Sequence, residues 1–400
     1  MPSAGPGKGE RLIGDDNSAA PTLPSQDQTR GPFAERKIRQ MLASAGININ
    51  GSQPWDLQVH DARLYRRVVR HGTLGLGEAY MDGWWDCDAL DAFICRALQA
   101  SLDNQTRTLR NSLLAFHAMV ANLQSQTRAW VVGKRHYDIG NRLYERMLDR
   151  SMTYTCGYWR NARTLDEAQQ HKLDLICRKL DLQPGQRVLD IGCGWGSFAE
   201  FAARHYGAQV VGITISREQA ELAQQGCRGL PVDIQLRDYR DMHERFDHIV
   251  SIGMFEHVGW KNHRTYLEAV HRCLSEDGLF LLHSIGSNRS TIHTDPWIDR
   301  HIFPNGSLPS AQQIGKAIEG LFVLEDWHSF GADYDRTLMA WHHNFEAAWP
   351  ELSSDFDERF HRMWRYYLLT CAGSFRARKN QLWQLVLSRN GVPGGYSSIR

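Results

Sequence analysis

The sequence predicts an α/β protein of the doubly wound, Rossmann-like kind, with a smaller, mainly helical domain ahead of it. Three observations carry this. The apolar run Val188-Leu189-Asp190-Ile191 abuts the turn Gly192-Cys193-Gly194-Trp195-Gly196, whose alternating glycines carry no Cβ to keep a ligand off the backbone N–H groups. The run Phe198-Ala199-Glu200-Phe201-Ala202-Ala203 then has helical spacing, so the turn opens a helix. Strand and helix patterns alternate from there on, as in a parallel sheet covered on both faces.

Each element has its own justification. Strand one is Arg187–Asp190 and strand two Gln209–Ile215, both short β-branched runs bounded by polar residues. Val232–Leu236 and His248–Gly253 continue the series, and Leu279–Ile285 is a fifth, strongly apolar strand. The stretch 286–310 is polar and irregular, and insertions after a strand's carboxyl end shape binding sites. Ahead of this domain, residues 1–32 are rich in Pro, Ser, Gly, Gln and Asp and poor in aromatics, which predicts a disordered tail. Residues 33–115 form the N-terminal domain, 116–130 a polar helical linker, and 131–400 the α/β domain.

Composition narrows the class. A hydrophobic content of 42% with 23% charged residues is that of a globular chain, and 400 residues suffice for two domains. A formal charge of +1 argues against a general nucleic-acid binder. Eight cysteines without a C-x-x-C pair read as a reduced, cytoplasmic chain with neither disulfide framework nor zinc site. No run reaches the ~18 apolar residues of a membrane span, and no apolar core marks the N-terminus as a secretory signal. Between Phe33 and Gly72, seven Lys or Arg face three Asp or Glu. Arg63, Arg66, Arg67 and Arg70 share one face if that run is helical; by itself this is a solvated face before it is a contact for an anionic surface.

The glycine turn admits two cofactors. A dinucleotide site needs G-x-G-x-x-G and an acid near the end of strand two. Here the third glycine arrives one residue early, at Gly196, and Gly212-Ile213-Thr214-Ile215-Ser216 ends without an acid. Asp190 stands just before the turn, where it can orient the loop or face an ammonium group. Asp238 follows strand three and can accept from an exocyclic amine, with Tyr239 beside it to stack on adenine. A ligand with amino acid, ribose and adenine but no pyrophosphate fits better, which is S-adenosylmethionine.

Further blocks stand along the chain: His136-Tyr137-Asp138-Ile139-Gly140-Asn141, Thr153-Tyr154-Thr155-Cys156-Gly157-Tyr158-Trp159, and Ser251-Ile252-Gly253-Met254-Phe255-Glu256-His257-Val258-Gly259. Later come Leu282-His283-Ser284-Ile285-Gly286, Ile302-Phe303-Pro304-Asn305-Gly306, Phe330-Gly331-Ala332-Asp333-Tyr334 and the run from Tyr366 to Arg376. In joint order and spacing they resemble the cyclopropane-fatty-acyl-phospholipid synthases and the related mycolic acid cyclopropane synthases, from about residue 33 to near the C-terminus.

The resemblance implies a class I S-adenosylmethionine-dependent methyltransferase domain that acts on a cis double bond of an unsaturated phospholipid acyl chain. Methyl transfer followed by proton loss closes a cyclopropane ring; an alkene is a poor nucleophile, so such a site must align its partners and exclude water. The resemblance implies a bound bicarbonate ion as proton acceptor, held by the Cys156 and Ile285 backbone N–H groups, Glu256, His283 and Tyr334. It places Tyr137 and Tyr154 at the methionine end, Gly192 and Gly194 along the backbone approach, Thr214 and Gln219 at the ribose, and Asp238 with Tyr239 at the adenine. Tyr158, Phe255 and Tyr367 offer ring faces to the cation. A homodimer is a further implication; with its local basic surplus, the N-terminal domain is the candidate for docking on an anionic bilayer, in peripheral contact with the inner face of the membrane.

Plainer readings stand beside these. Glu256-His257 also fits an acidic first turn of a helix. Glu256, His257, His263 and His283 lack metal-ligand spacing, so no metal is expected. Phe360, Met363, Trp364, Tyr367, Leu368 and Cys371 form an i, i+3, i+4, i+7, i+8 stripe, which is core packing that is also compatible with the wall of an acyl channel. Methyl transfer without ring closure, and lipid binding without turnover, are the alternative functions.

Overall fold

The computed structural model describes residues 33–105, 140–292 and 294–400. The predicted tail 1–32, the linker 116–130 and Tyr137 lie outside the described residues. Strands β1 (Gln58–Val59) and β2 (Trp85–Asp86) make a small ribbon in the N-terminal part. The main sheet contains β3 (Arg187–Ile191), β4 (Gln209–Thr214), β5 (Val232–Leu236), β6 (Phe246–Ile252), β7 (Leu274–Ser287), β8 (Val323–Ser329) and β9 (Asn380–Ser388), in the order β5-β4-β3-β6-β7-β9-β8.

The five parallel strands are those read from the sequence, with β7 longer at its start. Two strands were not anticipated. Strand β9 runs antiparallel between β7 and β8, so the sheet is mixed rather than wholly parallel. Its segment Asn-Gln-Leu-Trp-Gln-Leu-Val-Leu-Ser is buried along eight of nine positions, as a strand flanked on both sides must be. Strand β8 takes the edge, where Val323 and Leu324 are exposed. The order of parallel strands reverses at β3, and ligands of such sheets bind beyond the carboxyl ends at that point.

The glycine turn closes as expected into the helix Ser197–Tyr206. Gly192, Gly194 and Gly196 all take positive φ (81°, 56° and 85°), a conformation that costs an L-residue about 1–2 kcal/mol.

The N-terminal helices Phe33–Ala43, Arg63–Met81 (kinked at Gly72) and Leu90–Gln99 do not enclose a core of their own. They share one with the helices Pro296–His301, Ala332–Leu352 and Glu358–Arg376. Tyr366 lies at its centre, with ring centroids 5.4 Å from Tyr80, 6.4 Å from Trp85 and 4.6 Å from Trp297. Polar ties reinforce the join: Arg362 donates to the Tyr80 and Trp85 carbonyls and to Asp86, and Arg376 pairs with Asp91 and Asp335. The predicted arginine face is half spent internally. Arg63 and Arg67 lie against Trp84 at 4.6 and 4.8 Å, with Arg63 paired to Asp61 and Arg67 to Glu78 and Asp82, while Arg66 and Arg70 remain exposed.

Candidate active site

A cleft of about 180 Å³ opens at the carboxyl ends of β3, β4 and β6. Its lining includes Asp190, Gly192, Gly194, Thr214, Gln219, Asp238, Tyr239 and Tyr154, so every described residue expected at the cofactor meets there. A Cβ on Gly192 would come within 2.7 Å of Met254 Cγ, so only glycine leaves this wall in place. The Thr214 hydroxyl donates to Gln219 Oε1 at 3.1 Å, presenting a neutral polar pair where a dinucleotide site has an acid. Asp238 accepts from the Arg240 backbone and guanidinium (2.9 and 3.1 Å). Asp190 is buried with Oδ2 lacking a hydrogen-bond partner, and burial lifts its carboxyl to about 7 against the pull of Lys172. An unsatisfied buried carboxylate oxygen beside bare glycine backbone fits a ligand bearing an ammonium group. An unpartnered carboxyl oxygen at Asp190 and a second strand without an acid fit S-adenosylmethionine, which carries an ammonium group and no pyrophosphate.

The sequence reading missed Lys172. It lines the same cleft, is fully buried, and donates to Thr155 Oγ1 at 2.9 Å. Burial lowers it to about 8, while Asp149, Cys156 and Asp190 pull it back up. The signal was present: Leu165, Ala168, Lys172, Leu175 and Lys179 follow one helical face, and two lysines on an apolar stripe call for carboxylate partners.

Beside the cleft lies a far larger cavity of about 1780 Å³. The two share Tyr154, Thr155, Gly253, His257, Phe303 and Pro304 as a common wall. The N-terminal helices give it Ile38, Leu42, Leu64, Val68, Phe93 and Ile94, and the last helix gives it Tyr366, Tyr367, Cys371 and Phe375. The predicted stripe therefore packs the core through Trp364 and Leu368 and lines the cavity through Tyr367 and Cys371.

Glu256, His283, Ile285 and Tyr334 converge in this cavity, next to the shared wall. Glu256 sits on a 3-10 turn just past β6, with Oε1 accepting the Ile285 N–H at 2.6 Å and Oε2 buried without a partner. Burial raises its carboxyl to about 7, opposed by the Ile285 N–H. The loop carrying Pro304 and Gly306 is held against it, for Ser307 N–H donates to the Glu256 carbonyl at 3.0 Å. His283 Nδ1 lies 3.2 Å from Gln384 Nε2; as acceptor there it leaves Nε2 as the N–H, buried and without a partner. Burial, and then the charges of Lys172 and Lys179, hold this imidazole well below its usual range, so it is neutral. The Tyr334 ring stacks on Phe375 at 4.5 Å, and burial with the nearby Cys156 and Glu256 raises its phenol.

Two expected aromatics sit elsewhere, and Cys156, expected for its backbone N–H alone, does not line the cavity with its side chain. The Cys156 thiol is buried behind the wall, 3.2 Å from the Gly157 carbonyl, and burial raises it well above the thiol range. Tyr158 packs on His328 and Phe330, and Phe255 stacks on His263 at 4.3 Å, both away from the cavity lining. Of the three aromatics expected near the cation, only Tyr367 reaches the cavity; its hydroxyl meets that of Tyr154 at 2.9 Å.

Sheet order, glycine turn and the acid-free second strand define an S-adenosylmethionine-dependent methyltransferase. Residues 124–385 match the family model described as mycolic acid cyclopropane synthetase. The chain is 55% identical over 366 residues to the cyclopropane-fatty-acyl-phospholipid synthase of Escherichia coli K12, covering 91% of this chain and 96% of that one. Two solved structures agree, each 31% identical and covering 67% of this chain and 100% of theirs: the cyclopropane synthase MmaA2 from Mycobacterium tuberculosis (TM-score 0.62) and the mycolic acid cyclopropane synthase CmaA1 complexed with SAH and CTAB (TM-score 0.61). The chain belongs to the mycolic acid cyclopropane synthetase family.

Proposed function

We propose that this chain forms cyclopropane rings on cis double bonds of unsaturated phospholipid acyl chains, using S-adenosylmethionine. The observation that carries it is the apolar cavity, roomy enough for lipid chains, that meets the cofactor cleft at a wall shared by Tyr154, Thr155 and Gly253. When bound, S-adenosylmethionine supplies an electrophilic sulfur-bound carbon at that wall. The chain's residues then align, enclose and move a proton.

Leu, Ile and aromatic side chains line much of the cavity and give a weak alkene nucleophile an apolar surround. Tyr154 and Tyr367, joined through their hydroxyls at 2.9 Å, would offer electron-rich rings to the sulfonium of the bound cofactor. Glu256 Oε2 and the Nε2–H of His283 are two buried polar atoms without partners at one place, and such atoms call for a small polar guest. Bicarbonate fits: with a carboxyl near 7, Glu256 can keep a proton and donate to an anion, and neutral His283 donates as well. Tyr334 and the Cys156 N–H complete our proposed holder. The Ile285 N–H is already given to Glu256, so its part runs through that carboxyl.

The domain reading is part of the proposal. Residues 33–115 serve as the lipid-docking part, supported by the wall that the helices Phe33–Ala43, Arg63–Met81 and Leu90–Gln99 give the cavity. No helix among the described residues is long and apolar enough to cross a membrane, and we read the contact with the inner leaflet as peripheral. The homodimer rests on the family resemblance.

The test incubates the protein with labelled S-adenosylmethionine and unsaturated phospholipid vesicles and identifies the product by mass. A ring-bearing acyl chain is expected. A methyl branch without a ring, or cofactor binding with no lipid product, overturns the proposal.

A further inference from the structure

The pairing of β7 with β9 sets Ser287 opposite Asn380, so the residues just beyond these two strand ends are neighbours. Asn288 and Arg289 follow on one side; Arg378 and Lys379 precede on the other. Asn288 Nδ2 donates to the Arg378 carbonyl at 2.6 Å, and Gln381 Nε2 donates to the same oxygen at 3.0 Å. This clamp holds Arg378 at φ 59°, a conformation rare outside glycine. Arg289 and Arg378 are exposed, and all three cations line the outer part of the apolar cavity. Lys379 pairs with Asp103 at 3.5 Å. Arg289 has no ion pair among the described residues, and Arg378 meets only the neutral Gln381 amide (2.9 Å). The adjoining Arg376 is engaged by Asp91 and Asp335. Two guanidinium groups thus stand at the rim of the cavity without a carboxylate paired to them among the described residues.

We propose that Arg289, Arg378 and Lys379 bind the phosphodiester of the lipid substrate at the cavity rim, an inference that rests on the lipid reading above. A guanidinium fork matches the paired oxygens of a phosphodiester, and such charge-assisted bonds are the strong ones. The spacing agrees. From His283 to Arg289 the chain advances six residues, at most roughly 20 Å at ~3.3 Å each, with strand geometry as far as Ser287. A lipid with its acyl chain at Glu256 and its anionic group at the surface has the length to touch both places. The same rim turns the cavity mouth toward an anionic interface, which attracts nearby Lys and Arg side chains.

The experiment compares the wild type with the double variant Arg289→Ala/Arg378→Ala on two substrates. One is unsaturated phosphatidylglycerol vesicles; the other is dioleoylglycerol in neutral detergent micelles, which lacks a phosphate. On the vesicles the lipid KM is expected to rise at least roughly tenfold with kcat nearly unchanged, as for the loss of charge-assisted bonds. On the phosphate-free micelles the two proteins are expected to match, and Arg289→Lys/Arg378→Lys should recover most of the vesicle KM. An unchanged vesicle KM, or an equal loss on both substrates, overturns the cation site. If the wild type forms no ring on either lipid, the cyclopropanation reading itself fails, an outcome distinct from the other two.

Discussion

The Ile285 N–H donates to Glu256 Oε1 at 2.6 Å, tying the turn after β6 to the neighbouring strand β7. One carboxylate oxygen is thereby fixed and the other is left buried and unpartnered at the cavity wall. Glu256→Gln keeps the shape and the Oε1 acceptor but cannot take up or release a proton at the other position. The expected result is a loss of roughly 10²–10⁴-fold in kcat, the usual worth of a positioned acid or base. Cofactor affinity, read by calorimetry with S-adenosylhomocysteine, should stay within a factor of two or three. Near-full turnover would remove Glu256 from the proton path.

The same residue makes stability depend on pH in a direction that can be worked out. Its folded-state value near 7 exceeds the ordinary 4.5, so between these values the folded protein holds a proton that the unfolded chain has released. Stability therefore falls as pH rises through that window and levels off above it, by roughly 3 kcal/mol for a shift of this size. Asp190 acts in the same sense, from 3.8 to about 7. Urea unfolding at about pH 5 and pH 8 should show wild type losing more stability across the interval than Glu256→Gln, with the difference assigned to Glu256. Equal losses in both proteins would contradict it.

Lys172 presents its ammonium to Asp149 and Asp190 from a fully buried position. Lys172→Met keeps the volume of the side chain and removes the charge, leaving buried carboxylates uncompensated. Removing one partner of a buried ionic group costs about 3–5 kcal/mol. Denaturant titration should show that loss, and weaker binding of S-adenosylhomocysteine should accompany it, since Asp190 loses the nearby charge that favours its ionised form.

Gly192→Ala tests the cofactor cleft without touching any charge. The added methyl must sit at φ 81° and within 2.7 Å of Met254 Cγ. The left-handed backbone alone costs about 1–2 kcal/mol, and the contact adds to it. A lower melting temperature and a cofactor affinity reduced at least tenfold are expected, while lipid binding to the neighbouring cavity persists. An unchanged affinity would place the ligand elsewhere.

Trp85 is fully buried where the N-terminal helices meet the last two long helices. Trp85→Ala should cost about 3–5 kcal/mol, as for other large-to-small changes in a core. Because the core is shared, calorimetry should show one transition, shifted as a whole. Two separated transitions would mean that the N-terminal part folds independently.

Much of this was legible in the sequence, and the exceptions have physical causes. Strands β3, β4, β6 and the later part of β7 are largely apolar because both of their faces are covered, β5 at the edge alternates, and the glycine turn matches the positive φ angles of Gly192, Gly194 and Gly196. Strand β9 was hidden because it follows the apolar stripe of a long helix directly, with only a short polar break at Arg378 and Lys379. Strand β8, at the edge, mixes exposed Val323 and Leu324 with charged residues and has no clean period. Glu256, His283 and Tyr334 were found through the resemblance; periodicity alone makes Glu256-His257 an ordinary helix start. Lys172 was overlooked because partners such as Asp149 and Asp190 lie far along the chain, and that adjacency is a tertiary fact.

The cavity wall joins segments almost three hundred residues apart, as the bond between Arg376 and Asp91 shows with a separation of 285. During synthesis, helices that emerge early must keep their greasy faces unsatisfied until the far helices leave the ribosome. Such late closure slows assembly and exposes sticky intermediates to self-association. The lipid chamber is thus among the last parts of the molecule to exist.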